Sequence, residues 1–166
     1  GCLCMLKATQ LQLYFAELKV LDGVSLTIPE GRFTALIGAN GCGKTTLLNV
    51  LARMLQPLSG EVLLEGKPHA QFSRRELAKR VALLPQRTSS PAGMSVRELV
   101  MQGRYPWQSW WQQWTERDQQ AVDNALVLAD VVALQDLALS TLSGGQLQRC
   151  WIAMTLAQDT PVILLD

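Results

Sequence analysis

The chain has 166 residues, a formal net charge of +1 and a hydrophobic content of 48%. That content supports a sizeable core and excludes a disordered chain. The near-neutral charge argues against a general grip on nucleic acid, which would need a basic face. No apolar run approaches the ~20 residues that span a bilayer. Gly1 to Met5 is too short for the apolar region of a signal peptide, so any membrane link is expected to run through a partner. Four scattered cysteines read as reduced thiols in a cytosolic setting, and Cys2 with Cys4 are too few for a zinc site.

Met5–Tyr14 and Lys19–Ile28 read as two strands, with breaks expected at Asp22-Gly23 and at Pro29-Glu30-Gly31. Tyr14 and Phe15 lie near the end of the first. Either could stack on a purine, or be an ordinary strand aromatic. Phe33-Thr34-Ala35-Leu36-Ile37 is a short apolar run of the kind that forms a strand buried on both faces. Gly38-Ala39-Asn40-Gly41-Cys42-Gly43-Lys44-Thr45-Thr46 follows it and fits G-x-x-x-x-G-K-[ST]. A triphosphate needs many donors packed close together, and glycines let a backbone wrap tightly enough to point its N–H groups inward. Lys44 adds a mobile positive charge for the β- and γ-phosphates. Thr45 offers a hydroxyl to Mg²⁺, and a helix starting there aims its N-terminus at the anion. Thr46–Met54 reads as that helix, with an apolar face. Strand, glycine loop and helix together supply the context that the motif requires.

Gly60–Gly66 is a glycine-bounded strand, expected at the sheet's periphery because it carries charges. Ser73-Arg74-Arg75-Glu76 is a capping box opening a short helix to Arg80. His69, the one histidine, lies in a polar loop before it and is expected to be solvated and not catalytic, since nothing nearby would orient it as a base. Val81–Gln86 is an apolar strand ended by Pro85. Gln86 then stands at a strand's end, where α/β sheets place ligand groups.

Beyond Ser89–Gly93 the pattern turns helical, from about Thr88 to Leu156. Ser95-Val96-Arg97-Glu98 caps one helix, to Gln102. Thr115-Glu116-Arg117-Asp118 caps a longer one, with Val122, Ala125, Leu126 and Ala129 on one stripe. Four tryptophans crowd into Trp107–Trp114. Their spacing predicts one helical face, serving either local packing or an exposed patch for a partner. In Leu142-Ser143-Gly144-Gly145-Gln146, Ser143 and Gln146 form a cap. The two glycines are poor helix formers that leave bare N–H groups at the helix start, which suits an anion. Pro161–Asp166 is an apolar strand ending in a carboxylate, the position from which an acid holds Mg²⁺ through water.

With the phosphate loop, Gln86, Leu142–Gln146 and the Val162–Asp166 strand in this order, the chain resembles the nucleotide-binding subunit of an ABC transporter. The passages Ala35–Lys44, Ser95–Val100, Gln102–Pro106 and Ala153–Gln158 are similar to importer subunits that serve ferric-siderophore uptake in bacteria. Vitamin B12 and haem importers share much of this wording. The resemblance implies an α/β fold: a P-loop NTPase core of three layers around a mostly parallel sheet, an antiparallel β part at the N-terminus and an inserted helical subdomain. It divides the chain into 1–87, a β part with the phosphate-loop core, 88–156, the helical subdomain, and 157–166, the acidic strand of the core.

It also implies roles. Gly38, Asn40, Gly41, Cys42, Gly43, Lys44, Thr45 and Thr46 would hold ATP, with Tyr14 or Phe15 on the adenine. Thr45, Gln86 and Asp166 would serve Mg²⁺, and Lys44, Gln86 and Asp166 the reaction. Ser143, Gly144, Gly145 and Gln146 would grip the γ-phosphate of ATP on a second copy, in a head-to-tail pair. Partners would be integral-membrane permease subunits and, indirectly, a periplasmic binding protein, at the cytoplasmic face of the bacterial inner membrane, with no nucleic acid. Cys42 sits where the family tolerates several small residues and is given no chemistry of its own, and Leu147, where the family often has a polar residue, is a minor departure. The larger one is at the end: the family places a catalytic Glu directly after the Asp and a switch His later, and this sequence stops at Asp166. The expectation is a truncated chain with weak nucleotide binding, lost hydrolysis and an exposed sheet edge that lowers solubility. The rival readings are a soluble ABC-type ATPase of DNA repair or translation, and a non-catalytic nucleotide-binding module. No long heptad run lies between Gln86 and Leu142 to support the first.

Overall fold

The computed structural model describes residues 4–15, 18–29, 44–54, 56, 59–84 and 88–165. They divide into two compact units, residues 1–83 with 161–166, and residues 84–160.

In the first unit, the two N-terminal strands pair as an antiparallel hairpin, β1 (Cys4–Phe15) and β2 (Leu18–Pro29). Asp22-Gly23 does not break β2 as expected. The pair is absorbed by a shift in register, from Leu11 opposite Val24 to Gln12 opposite Asp22, the local slip by which a ladder takes up one extra residue. β3 (Ser59–Leu64) pairs antiparallel with the other edge of β1, and a two-residue β4 (Lys67–Pro68) covers part of β3. The β3–β4 turn is Glu65-Gly66, both at positive φ (52° and 79°), the geometry of a tight hairpin turn that a glycine at the second position eases.

Helix α1 (Lys44–Leu51) buries Leu47, Leu48, Val50 and Leu51. These pack with Val62 and Leu64 of β3, Leu77 of α2 (Arg74–Ala78), Val81 of β5 (Val81–Leu84) and Val162 and Leu164 of β6 (Val162–Leu165). β5 and β6 form a second, two-stranded sheet. α1 stops three residues short of the expected Met54. Arg53 turns left-handed (φ 60°), and the N–H groups of Arg53 and Met54 reach back to the carbonyls of Val50 and Asn49. That closure satisfies the helix's last carbonyls. Ser73 caps α2 as expected, its hydroxyl accepting from the Glu76 N–H at 3.1 Å. α2 is shorter than expected, ending at Ala78 rather than Arg80.

His69 departs from its expected solvated state. It is buried, 7% exposed, and its Nε2–H donates to the Val50 carbonyl at 3.1 Å. A carbonyl only accepts, so the ring is fixed as the Nε2–H tautomer. Arg53 reinforces the contact, donating to the carbonyls of His69 and Phe72. A short 3₁₀ turn, His69–Gln71, thus folds onto the C-terminal end of α1. The reading failed because the partners lie 16 to 19 residues away.

In the second unit, α3 (Val96–Gln102) and α4 (Glu116–Leu128) both pack on α5 (Gly144–Ala157). Their buried faces meet in one core: Val96, Leu99 and Val100, then Val122, Ala125 and Leu126, then Cys150, Ala153 and Ala157. The α4 residues belong to the stripe expected from their spacing, and its last member, Ala129, is buried just beyond the helix. Gly103, directly after α3, permits the approach. A Cβ there would collide with the Met154 carbonyl oxygen and lie 3.2 Å from the Ala157 Cβ.

Burial, partly offset by the bond to Val50 and aided by the Arg53 charge, holds the His69 pKa below its ordinary 6.5. The unfolded chain therefore takes up a proton before the folded one does, and stability falls as pH drops from about 7 toward 5, with a flat profile above. Urea melts across this window should show that slope. His69→Gln should remove it, at a cost of about 1 kcal/mol at neutral pH.

Candidate nucleotide site and signature turn

Of the phosphate loop, Gly38, Asn40, Gly41, Cys42 and Gly43 lie outside the described residues, as do the Phe33–Ile37 run, Gln86 and Asp166. The described chain supplies what flanks them. Lys44 and Thr45 form the first turn of α1, with Thr46 half-buried behind them. The first N–H groups of any helix lack an intrahelical acceptor, and those of α1 directly follow the glycine loop in sequence. Gln86 comes two residues after the end of β5, and Asp166 directly follows β6. Tyr14 and Phe15 end β1, opposite Lys19 and Leu18.

The Leu142–Gln146 turn is described in full. Ser143 is the N-cap of α5. Its hydroxyl accepts from the Gln146 N–H at 3.2 Å, while the Gln146 Oε1 accepts from the Ser143 N–H at 3.0 Å. This reciprocal box fixes the helix start and consumes the Gln146 donor. The N–H groups of Gly144 and Gly145 keep no acceptor among the described residues. Ser143, Gly144 and Gly145 are exposed, and a Cβ on either glycine would meet open space. The first turn of α5 is therefore a smooth, uncovered edge bearing donors and the positive end of the helix dipole, ready for an anion.

Further along, α5 is tied down by side chains that the sequence did not reveal. The Trp151 indole N–H donates to the Ser89 carbonyl at 2.9 Å, fastening the stretch three residues past Gln86 to the helix. At the C-terminal end, the Trp107 indole donates to the Gln158 carbonyl at 2.7 Å and Arg104 Nη1 to the Ala157 carbonyl at 2.9 Å. Arg104 is 1% exposed and its Nε pairs with Asp118 Oδ1 at 2.8 Å. Asp118 Oδ2 accepts from the Thr115 N–H and hydroxyl, both at 3.0 Å. Burial by itself would raise the Asp118 pKa. The Thr115 N–H, the Arg104 guanidinium and the Thr115 hydroxyl outweigh it and hold the carboxyl below its ordinary value. Only half of this was legible: Thr115 and Asp118 read as a capping box, but nothing near Arg104 in sequence announces its partner 14 residues on. Cys150 is buried in the α5 face, and burial, only partly countered by Arg149, pushes its thiol pKa up. It is packing, not a reactive thiol.

The tryptophan segment is not the single helix that the spacing predicted. Tyr105–Trp107 is one 3₁₀ turn, and Ser109 bridges Gln112 around a tight turn. Pro106, lacking an N–H, cannot sit in a continuous helix interior. The packing reading is met by Trp107, while Trp110 and Trp111 show the exposure that the patch reading requires. Trp107 packs, with the Arg104 and Arg117 guanidinium groups 5.3 and 5.5 Å from its ring. Trp110 and Trp111 are 92% and 70% exposed. Among the described residues no cluster of His, Cys, Asp or Glu could hold a metal.

An exposed, glycine-smoothed helix start, in a chain whose sequence carries a phosphate-loop motif before it and an Asp-ended strand after it, has the order of a nucleotide-binding cassette. The ABC transporter family model matches residues 21–166, and the chain belongs to that family. Bacillus subtilis YusV, named a probable siderophore transport system ATP-binding protein, is 51% identical, covering 94% of this chain and 57% of its own. The petrobactin import ATP-binding protein FpuD of Bacillus anthracis is 46% identical (97% and 59% covered). The ferric enterobactin transport ATP-binding protein FepC of Escherichia coli K12 is 44% identical (97% and 59%). The chain thus spans 57–59% of the length of these relatives. A solved nucleotide-free ATP-binding cassette from an ABC transporter superposes with a TM-score of 0.79 at 29% identity, covering 98% of this chain and 68% of that one. A dimeric bacterial ABC transporter cassette does so with a TM-score of 0.82 at 26% identity, covering 98% and 73%. The fold is the α/β P-loop fold of these cassettes.

Asp118→Asn would leave the Arg104 charge buried without its counter-charge. It should cost about 3–5 kcal/mol of stability at neutral pH, read from urea melts. In the unsubstituted protein this contribution should persist down to acid pH and be lost only as pH falls through the lowered folded pKa of Asp118.

Proposed function

We propose that this chain is the nucleotide-binding part of an ATPase that powers a bacterial importer, with ferric siderophores as the cargo class. The observation that carries the reading is the start of α5, where a capped, exposed first turn keeps the Gly144 and Gly145 N–H groups free of any acceptor among the described residues. The cargo class is supported by the names of the relatives, which speak of siderophore, petrobactin and ferric enterobactin transport.

The residues take these roles. Gly38, Asn40, Gly41, Cys42 and Gly43 wrap the phosphates of ATP, and Lys44 neutralises them. Thr46, behind Lys44 and Thr45 on α1, completes the helix start. Thr45, Gln86 and Asp166 hold Mg²⁺, whose charge shields the phosphate oxygens when it is bound. Tyr14 or Phe15 covers the adenine. Ser143, Gly144, Gly145 and Gln146 of one copy close on the nucleotide held by a second copy, so ATP joins the pair and its loss releases it. The donor chemistry of the α5 start fits a phosphate group. Membrane permease subunits take up the motion, and a periplasmic binding protein delivers the cargo to them. The protein then works at the cytoplasmic face of the inner membrane. Among the described residues no helix is long and apolar enough to cross that membrane.

The test separates the two halves of the site. Lys44→Ala should weaken ATP affinity about tenfold or more, near 1.4 kcal/mol or above, in a fluorescent-nucleotide titration. Gly145→Asp should leave that affinity within about twofold, since on this reading the turn serves the nucleotide of the other copy. It should abolish ATP-dependent pairing in light scattering, because a carboxylate would face the γ-phosphate at close range. An unchanged affinity in the first variant, or undiminished pairing in the second, would overturn the reading.

A further inference from the structure

We propose that the turn carrying Trp110 and Trp111 is a contact for the headgroup region of a lipid bilayer, made by this subunit itself. The proposal deepens the reading of a membrane-peripheral ATPase and rests on it for its setting. Its own grounds are geometric. The Gln112 N–H closes onto the Ser109 carbonyl at 3.0 Å, which puts the two tryptophans at the central positions of a tight turn. Their rings stand edge to face, 5.2 Å between centroids and 87° between planes, and project into solvent. The flanking tryptophans behave differently. Trp107 bonds to Gln158 and Trp114 to Gln119. The indole N–H groups of Trp110 and Trp111 have no partner among the described residues.

Three features select a bilayer surface over a protein groove. First, residues 105–115 contain no charged side chain, only aromatics, amides, hydroxyls and one proline. Such a turn enters the interface without dragging a charge toward hydrocarbon, where a charge is costly. Second, a tryptophan offers roughly 150–250 Å², so the pair exposes less than about 500 Å². A stable protein contact uses about 800 Å² per partner, whereas interfacial insertion has no such threshold and simply scales with the apolar area entered. Third, an indole is apolar over its body and a donor at one point, which places it at headgroup level with its N–H toward phosphate or carbonyl oxygens. The nearest exposed cation in sequence, Arg117, faces Asp159 at 3.8 Å, so the contact does not depend on anionic lipid.

The test uses the protein with phosphatidylcholine vesicles and no permease. It should sediment with them, tryptophan emission should shift to the blue, and added salt should change binding little. Trp110→Ser with Trp111→Ser should weaken vesicle partitioning about tenfold or more while leaving ATP affinity and the melting curve unchanged. Single variants should fall between. Failure of the unsubstituted protein to bind vesicles would overturn the proposal, and so would equal binding by the double variant. Loss of attachment seen only on membranes that contain the permease would overturn it too, in favour of a protein partner. A loss of ATP affinity in the Lys44 variant is read separately, so the nucleotide reading stands or falls apart from this one.

Discussion

The helical unit depends on one interaction, the buried ion pair between Arg104 and Asp118. Both side chains are nearly sealed from water. Taking two charges out of water costs several kcal/mol per ion, and the attraction returns that only when the remaining polar atoms are satisfied. Here they are engaged on every side. Arg104 also donates to the Ala157 carbonyl, and Asp118 also accepts from the backbone and hydroxyl of Thr115. The pair therefore joins three elements: the segment after α3, the N-terminal cap of α4 and the last turn of α5. An apolar pair of the same volume could have filled the space. Only directed bonds also fix how the three ends meet.

That geometry matters because α5 carries the signature turn at its other end. The helix is held at its C-terminus by Arg104 and Trp107 and against Ser89 by Trp151. Its apolar face is packed by α3 and α4. What is left uncovered is the first turn, and there the capping box consumes one donor and leaves two. A helix with a fixed body and a bare start presents its dipole and its N–H groups in one direction, which is what recognition of an anion by backbone donors requires.

Much of this was legible in the sequence, and the pattern of what was not has a physical cause. Strands β1 and β2, helix α1, the α4 stripe and the caps at Ser73, Ser95, Thr115 and Ser143 are all set by residues within a few positions of one another. Periodicity and cap spacing report such neighbours directly. The burial of His69, the partner of Arg104 and the anchor of Trp107 depend on contacts 14 to 51 residues apart. No local pattern reports these. The tryptophans misled for a related reason. Their spacing fits a helix, but Pro106 and the Ser109–Gln112 turn decide the backbone, and spacing says nothing about which ring finds a partner. The phosphate-loop motif Gly38–Thr46 stood out most clearly in the sequence, because a loop that wraps phosphates has its residue types dictated by the ligand rather than by the fold, and its glycines lie outside the described residues.

Glycine gives the sharpest contrast between these two kinds of constraint. Gly103 is explained within the chain, since a methyl group there would strike the backbone of α5. Gly144 and Gly145 are not explained this way. Neither has a positive φ, and a Cβ on either would meet nothing. Glycine is a poorer helix former than alanine, and nothing in the chain's own packing calls for it at these two positions. A fold optimised for its own stability would replace both. Nothing among the described residues approaches them, so the backbone they leave bare is open to an anion from outside the chain. On the proposed reading, that anion is the nucleotide of a second copy.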